Sequence, residues 1–149
     1  MRLFVLLPLF LIISSLKVFG QNRVIQGRVV SEHLETLPMV SIANHRNESI
    51  GKTDMDGRFK IAVSQGVDSL LFSFIGMEWA EIKLKQDCDV VEVVMMYDMT
   101  YCFYSLRKVD RLRKRRFEKL SAVHADALKK GLFEQTTICY DREFESFKP

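Results

Sequence analysis

Between Val24 and Met96 the apolar residues recur at every second position, and a period of two permits little besides strands packed on one face. Arg58-Phe-Lys-Ile-Ala-Val63 shows the pattern best, with Phe59, Ile61 and Val63 on one side and Arg58 and Lys60 on the other. Val40 and Ile42 share a face in Met39-Val-Ser-Ile-Ala43, and Trp79-Ala-Glu-Ile-Lys-Leu-Lys85 alternates again. Val24–Val30, Ser49–Thr53, Ser69–Ile75 and Val90–Met96 complete seven short segments. Ser69–Ile75 is the most apolar of them and is expected in the middle of a sheet. Turn-forming residues mark the boundaries at Asn47, Asp56-Gly57, Gln65-Gly66, Gly76 and Asp87–Asp89. Seven strands with no long helix between them predict an all-β fold over residues 21–97, a seven-stranded antiparallel sandwich.

Asp54 and Asp56 stand one residue apart and directly before Gly57, which raises the question of a bound cation. An EF-hand loop needs further acids at fixed spacing, and two carboxylates leave most of the six to eight oxygens that calcium takes unsupplied. Asp-Gly between two strands is a hairpin signal, and Asp54 is placed to hydrogen-bond its own backbone. The turn is therefore preferred, with Asp54 and Asp56 kept as the candidates for a metal.

Four blocks, Val24-Ile-Gln-Gly-Arg-Val-Val30, Leu37-Pro-Met-Val-Ser-Ile42, Gly51-Lys-Thr-Asp-Met-Asp-Gly-Arg-Phe59 and Leu70-Leu-Phe-Ser-Phe-Ile-Gly76, resemble the carboxypeptidase-regulatory-like domain. That domain is a transthyretin-like sandwich, common in exported Bacteroidetes proteins and found ahead of the plug in TonB-dependent outer-membrane receptors. The departures are Met39, where the family usually has glycine, and Met77, where it usually has an aromatic residue. The resemblance implies a non-catalytic folding or docking accessory, with no catalytic residue and no cofactor to transfer. Residues 98–149 do not read as a plug or barrel, so a remnant of such a receptor stands only as an alternative. A calcium-dependent carbohydrate binder, or a small metal-dependent enzyme using Asp54 and Asp56, is the other.

The two ends of the chain differ from this middle. Met1-Arg2, the apolar run Leu3–Ile13 and the more polar Ser14–Gly20 have the layout of a secretory signal peptide over residues 1–20, with cleavage at Gly20/Gln21. The run is too short for a bilayer span, so the expectation is an exported chain in the periplasm or at the outer membrane, without a transmembrane segment after cleavage. Residues 21–97 hold eight Lys or Arg against eleven Asp or Glu, a net of −3. Residues 98–149 hold twelve against eight, a net of +4.

In that basic tail Val109, Leu112, Phe117, Leu120, Val123, Ala127 and Leu128 mark one side of a long helix, capped by Asp98 or Thr100 and ending at Gly131. Arg111, Arg113, Lys114, Arg115, Arg116 and Lys119 are the candidates for contact with an anionic partner, either an envelope protein or an anionic lipid surface. The plainer and preferred reading is a solvated face whose apolar stripe docks on the sandwich. Nucleic acid is not expected for an exported chain, and a homodimer through a free sheet edge is plausible.

Cys88, Cys102 and Cys139 allow one bridge with one free thiol, or none. Ser105-Leu-Arg-Lys108 lacks the partner motifs of a penicillin-recognising enzyme. Gly51-Lys-Thr53 lacks the first glycine of a phosphate loop, since Arg46 takes its place. His33, His45 and His124 have no ligand spacing. Glu78, Glu81 and Glu92 read as outward strand positions, and Trp79 as a core residue.

Overall fold

The structure, a computed structural model, describes residues 22–147. The signal-like stretch 1–20 and its cleavage point lie outside the described residues. Among the described residues eight strands and two helices follow in chain order: β1 Arg23–Ser31, β2 Ser41–Asn44, β3 Ser49–Lys52, β4 Arg58–Val63, β5 Ser69–Ser73, β6 Ala80–Leu84, β7 Val90–Met95, α1 Leu106–Glu118, α2 Leu120–Lys129 and β8 Tyr140–Asp141. Three strands make one sheet in the order β4-β1-β7, and five make the other in the order β3-β2-β5-β6-β8. Ile25, Val29, Phe59 and Val93 of the smaller sheet meet Ile42, Phe72 and Ile82 of the larger in one buried core. Phe59 and Phe72 touch edge to face at 5.6 Å between centroids.

The alternation of β4 appears as expected, with Phe59, Ile61 and Val63 buried, and β5 lies in the middle of its sheet. Two features differ from the seven-stranded antiparallel expectation. β1 and β7 run parallel, with Gly27 opposite Val91 and Val29 opposite Val93. A parallel pair needs a long crossover, and here the strands of the other sheet supply it. The eighth strand comes from the tail: β8 pairs with β6, Lys83 opposite Asp141 and Leu84 opposite Tyr140.

The same segment also closes the outer edge of β7. The Tyr140 hydroxyl donates to the Glu92 carbonyl at 3.0 Å, and the Arg142 guanidinium donates to the Val94 carbonyl at 2.7 Å. An open edge would leave those carbonyls free to pair with another chain. Residues 140–142 therefore seal neighbouring edges of both sheets. The Cys88–Cys139 disulfide fixes this segment to the start of β7.

A second, smaller core lies on the outer face of the three-stranded sheet, where Val30 and Val94 meet Ala127 and Phe133. β7 is thus covered on both faces, which accounts for its nearly unbroken apolar run. The single long helix expected of the tail is bent at Lys119 into two. The bend lets α1 lie beside Glu32 and Glu78 while α2 covers Val30 and Val94. Neither Asp98 nor Thr100 caps α1; Ser105 occupies that position, without a side-chain capping bond. Gly131, at φ 70°, follows α2 as expected.

Gly27 is where β1 and β7 approach most closely. A Cβ built there would lie 1.7 Å from the Val91 carbonyl oxygen, so no side chain fits without parting the strands. Gly27→Ala is expected to cost about 3 kcal/mol, the upper end of overpacking penalties, read as a lower urea midpoint with an unchanged slope.

Candidate functional site

Asp54 and Asp56 lie in the turn between β3 and β4. Asp54 Oδ1 accepts hydrogen bonds from the Asp56 amide at 2.9 Å and the Arg58 amide at 2.8 Å, so this oxygen already holds the bend. Gly57 adopts φ 72°, and its carbonyl accepts from the Val29 amide at 2.8 Å. Among the described residues, no group of three or more His, Cys, Asp or Glu is placed to hold a metal ion. The turn is not a simple hairpin, however. It carries the chain from β3 in the larger sheet to β4 in the smaller one. Local turn chemistry fixes the bend but not the sheet in which the next strand lands.

The histidines stay apart. His45 is exposed, His33 stacks on Tyr97 at 5.3 Å, and His124 is buried against Phe133 at 4.8 Å. His124 also lies 3.8 Å from Glu92, an outward position on β7 that the tail covers. The Glu92 carboxylate accepts the Glu134 and Gln135 amides at 2.6 and 3.0 Å, so it anchors the chain that follows α2. Burial pulls the His124 imidazole below its ordinary pKa, and the Glu92 charge only partly restores it. Protonation then favours the unfolded chain, so stability is fully present above the unfolded-state pKa of about 6.5 and is lost as pH falls below it. Melting curves between pH 8 and pH 5 are expected to show this loss, and His124→Gln to flatten it.

Between β6 and the tail lies a cleft of about 460 Å³, walled by Trp79, Lys83, Phe117, Arg142, Phe144 and Phe147 among others. Its lining contains no serine, threonine, cysteine or histidine; its titratable side chains are Asp and Glu carboxylates with Lys83, Arg113 and Arg142. Trp79, expected in the core, stands at the rim, 66% exposed. Ala80 and Ile82 take the inward positions of β6, which sends Trp79, Glu81 and Lys83 outward. Arg142 lines this cleft, and burial drives its guanidinium below its ordinary range against the pull of Tyr140 and Glu78; burial also drives the hydroxyl of Tyr140, two residues before it, up to about 12.

The six basic candidates divide into two groups. Arg113 and Arg116 face inward. Arg113 grips Glu78 with two parallel bonds of 2.9 and 2.8 Å, reaches Asp110 at 3.3 Å and donates to the Glu145 carbonyl at 2.9 Å. Arg116 pairs with both oxygens of Glu32 and donates to the Tyr97 carbonyl at 2.8 Å and the Tyr101 hydroxyl at 3.1 Å. Burial works to raise the Glu32 carboxyl, but the Arg116 hydrogen bond, the Tyr97 amide and the Arg116 charge outweigh it and hold the group below the usual carboxylate range. Glu78, read as an outward position, is buried under α1 by its arginine.

Arg111, Lys114, Arg115 and Lys119 are exposed, as are Arg107 and Lys108. At about 100° per residue, these six and Glu118 fall within roughly 140° of arc on α1, opposite Val109, Arg113 and Arg116. The preceding arm, Asp98–Ser105, adds a feature absent from the basic candidates: exposed Met99, Phe103 and Tyr104, followed by exposed Leu106. Tyr104 lies under Lys108, whose Nζ is 3.7 Å from the ring centroid. The visible signal was an aromatic run, Tyr101-Cys-Phe-Tyr104, that fits neither the strand period before it nor the helical period after it.

Two facing sheets and a parallel β1–β7 pair are the frame of a known family. The profile of the CarboxypepD_reg-like domain matches residues 25–100, just over half of the chain. The chain belongs to this family. The CarboxypepD_reg-like family is of a regulatory, non-catalytic domain type. The match spans β1 to β7 and ends before α1, so the basic face, α2 and β8 are additions to the CarboxypepD_reg-like part. A comparison with curated proteins returned no match.

Proposed function

We propose that this chain is an exported, non-catalytic docking module of the bacterial cell envelope, in which the CarboxypepD_reg-like sandwich is the scaffold and α1 the presented surface. One observation carries the reading. Arg113 and Arg116 are spent on buried Glu78 and Glu32, and this fixes the opposite face of α1, with its six cations, towards solvent. A helix that only needed solubility would not require two arginine staples to hold its orientation.

The Cys88–Cys139 disulfide supports an oxidising compartment, as does the signal-like start of the sequence. Among the described residues no helix is long and apolar enough to cross a membrane. Fractionation of cells expressing the full chain, followed by cross-linking from a photoreactive residue at position 114, tests the reading. Recovery in the periplasm or envelope with a discrete adduct is expected. A cytoplasmic pool, or no adduct in any fraction, would overturn it.

A further inference from the structure

The aromatic arm and the basic face lie side by side. Tyr101 stacks on Tyr104 at 6.4 Å, its hydroxyl accepts from Arg116, and Tyr104 supports Lys108. These contacts hold residues 101–104 along the N-terminal flank of α1. Phe103, at the tip, adopts φ 64° and is 105% exposed, so its ring touches nothing that would bury it. Met99, Tyr104 and Leu106 are exposed around it. Arg107, Arg111, Lys114, Arg115 and Lys119 make no ion pair among the described residues, and only Glu118 contributes a negative charge to their face.

We infer that this surface docks on an anionic lipid bilayer, with Phe103 and its neighbours entering the headgroup region and the cations of α1 lying over the lipid phosphates. The inference rests on the docking-module reading and names its partner. The chemistry favours lipid over an acidic protein. Lysine is depleted in the buried centres of protein interfaces, because its strongly hydrated ammonium is costly to dry, whereas at a bilayer it stays wet. The arm is also a protrusion: Asp98 at its start lines the 460 Å³ cleft, but residues 99–106 line neither that cleft nor the 480 Å³ groove under α2. Exposed aromatic and aliphatic side chains flanked by Lys and Arg are the composition of an interfacial anchor.

The test uses the chain from Gln21 onward, which keeps every described residue and leaves out the apolar run Leu3–Ile13. Co-sedimentation is measured with vesicles of phosphatidylcholine alone and with about 30% phosphatidylglycerol. Binding is expected only to the anionic vesicles, weakening as salt rises. Each cation near such a surface is worth about five-fold in affinity, so Arg111→Gln with Arg115→Gln is expected to lose about 25-fold. Phe103→Ser is expected to lose about ten-fold at fixed salt. All three positions are exposed, and an unchanged circular dichroism spectrum confirms that the variants fold. Equal binding to neutral vesicles, no binding to either kind, or affinity indifferent to these substitutions would overturn the inference. If vesicles are refused while position 114 still cross-links to an envelope protein, the docking reading stands and the lipid partner falls.

Discussion

Removing the Cys88–Cys139 bridge by the double substitution C88A/C139A is expected to lower the unfolding free energy by about 4 kcal/mol and the melting temperature by roughly 10–15 °C. The bridge spans 51 residues of sequence, and the entropy regained by the unfolded chain grows with the logarithm of that span. The effect reaches the whole fold because of where the bridge lies. It joins the chain entering β7 to the segment whose Tyr140 and Arg142 seal the β7 edge and whose β8 extends the larger sheet. One cooperative transition, shifted as a unit, is the expected result in urea. A sandwich that melts at its original midpoint while only the tail loosens would show that β8 is dispensable. Cys102 is exposed and free, so Cys102→Ser is the control, expected to change stability by less than about 0.5 kcal/mol and to prevent mispairing.

The parts of this fold that were legible in the sequence are those where one face is buried and the other is not. β4 declared its inward residues through alternation, and the family blocks from Val24 to Gly76 named the fold. Trp79 was legible too, since Ala80 and Ile82 fix the inward parity of β6 and leave Trp79 on the other side; its size argued for burial and its parity decided against. β8 left no signal. Two residues have no period, and Tyr140-Asp141 is a strand because β6 has a free edge and a disulfide holds it there.

The inward arginines are the more instructive case. Val109, Leu120, Val123 and Ala127 leave a gap in a stripe of spacing four, three, four, three, four, and Arg113 and Arg116 fill that gap. Their charge made them resemble their neighbours Arg111, Lys114 and Arg115. Their position placed them on the face that meets Glu78 and Glu32. The candidate surface was therefore readable in kind, but its membership needed the partners across the interface.

Arg113→Ala is expected to cost about 4 kcal/mol, whereas Arg111→Ala, two residues away, should change stability by no more than about 0.5 kcal/mol. The difference lies in burial. The Arg113 and Glu78 side chains are 7% and 8% exposed, so truncating the arginine strands a carboxylate away from water. Burial alone would lower the Arg113 pKa; Glu78 and Asp110 overcome it and raise the value, which is the sign of a charge held by its partners. Glu78→Ala should cost a similar amount, and the double variant less than the sum of the two, because neither charge is then left alone. Arg113→Met with Glu78→Leu goes further: an apolar pair of similar bulk needs no desolvated charge and is expected to recover most of the loss. What such a pair lacks is the fork of parallel hydrogen bonds that sets the rotation of α1 about its axis. The apolar variant should therefore unfold near the wild-type midpoint while protease cleavage within Arg107–Lys119 quickens, separating the contribution of the ion pair to stability from its contribution to the direction in which the basic face points. Cleavage no faster than in the wild type would mean that Val109 and the Arg116–Glu32 pair orient the helix unaided.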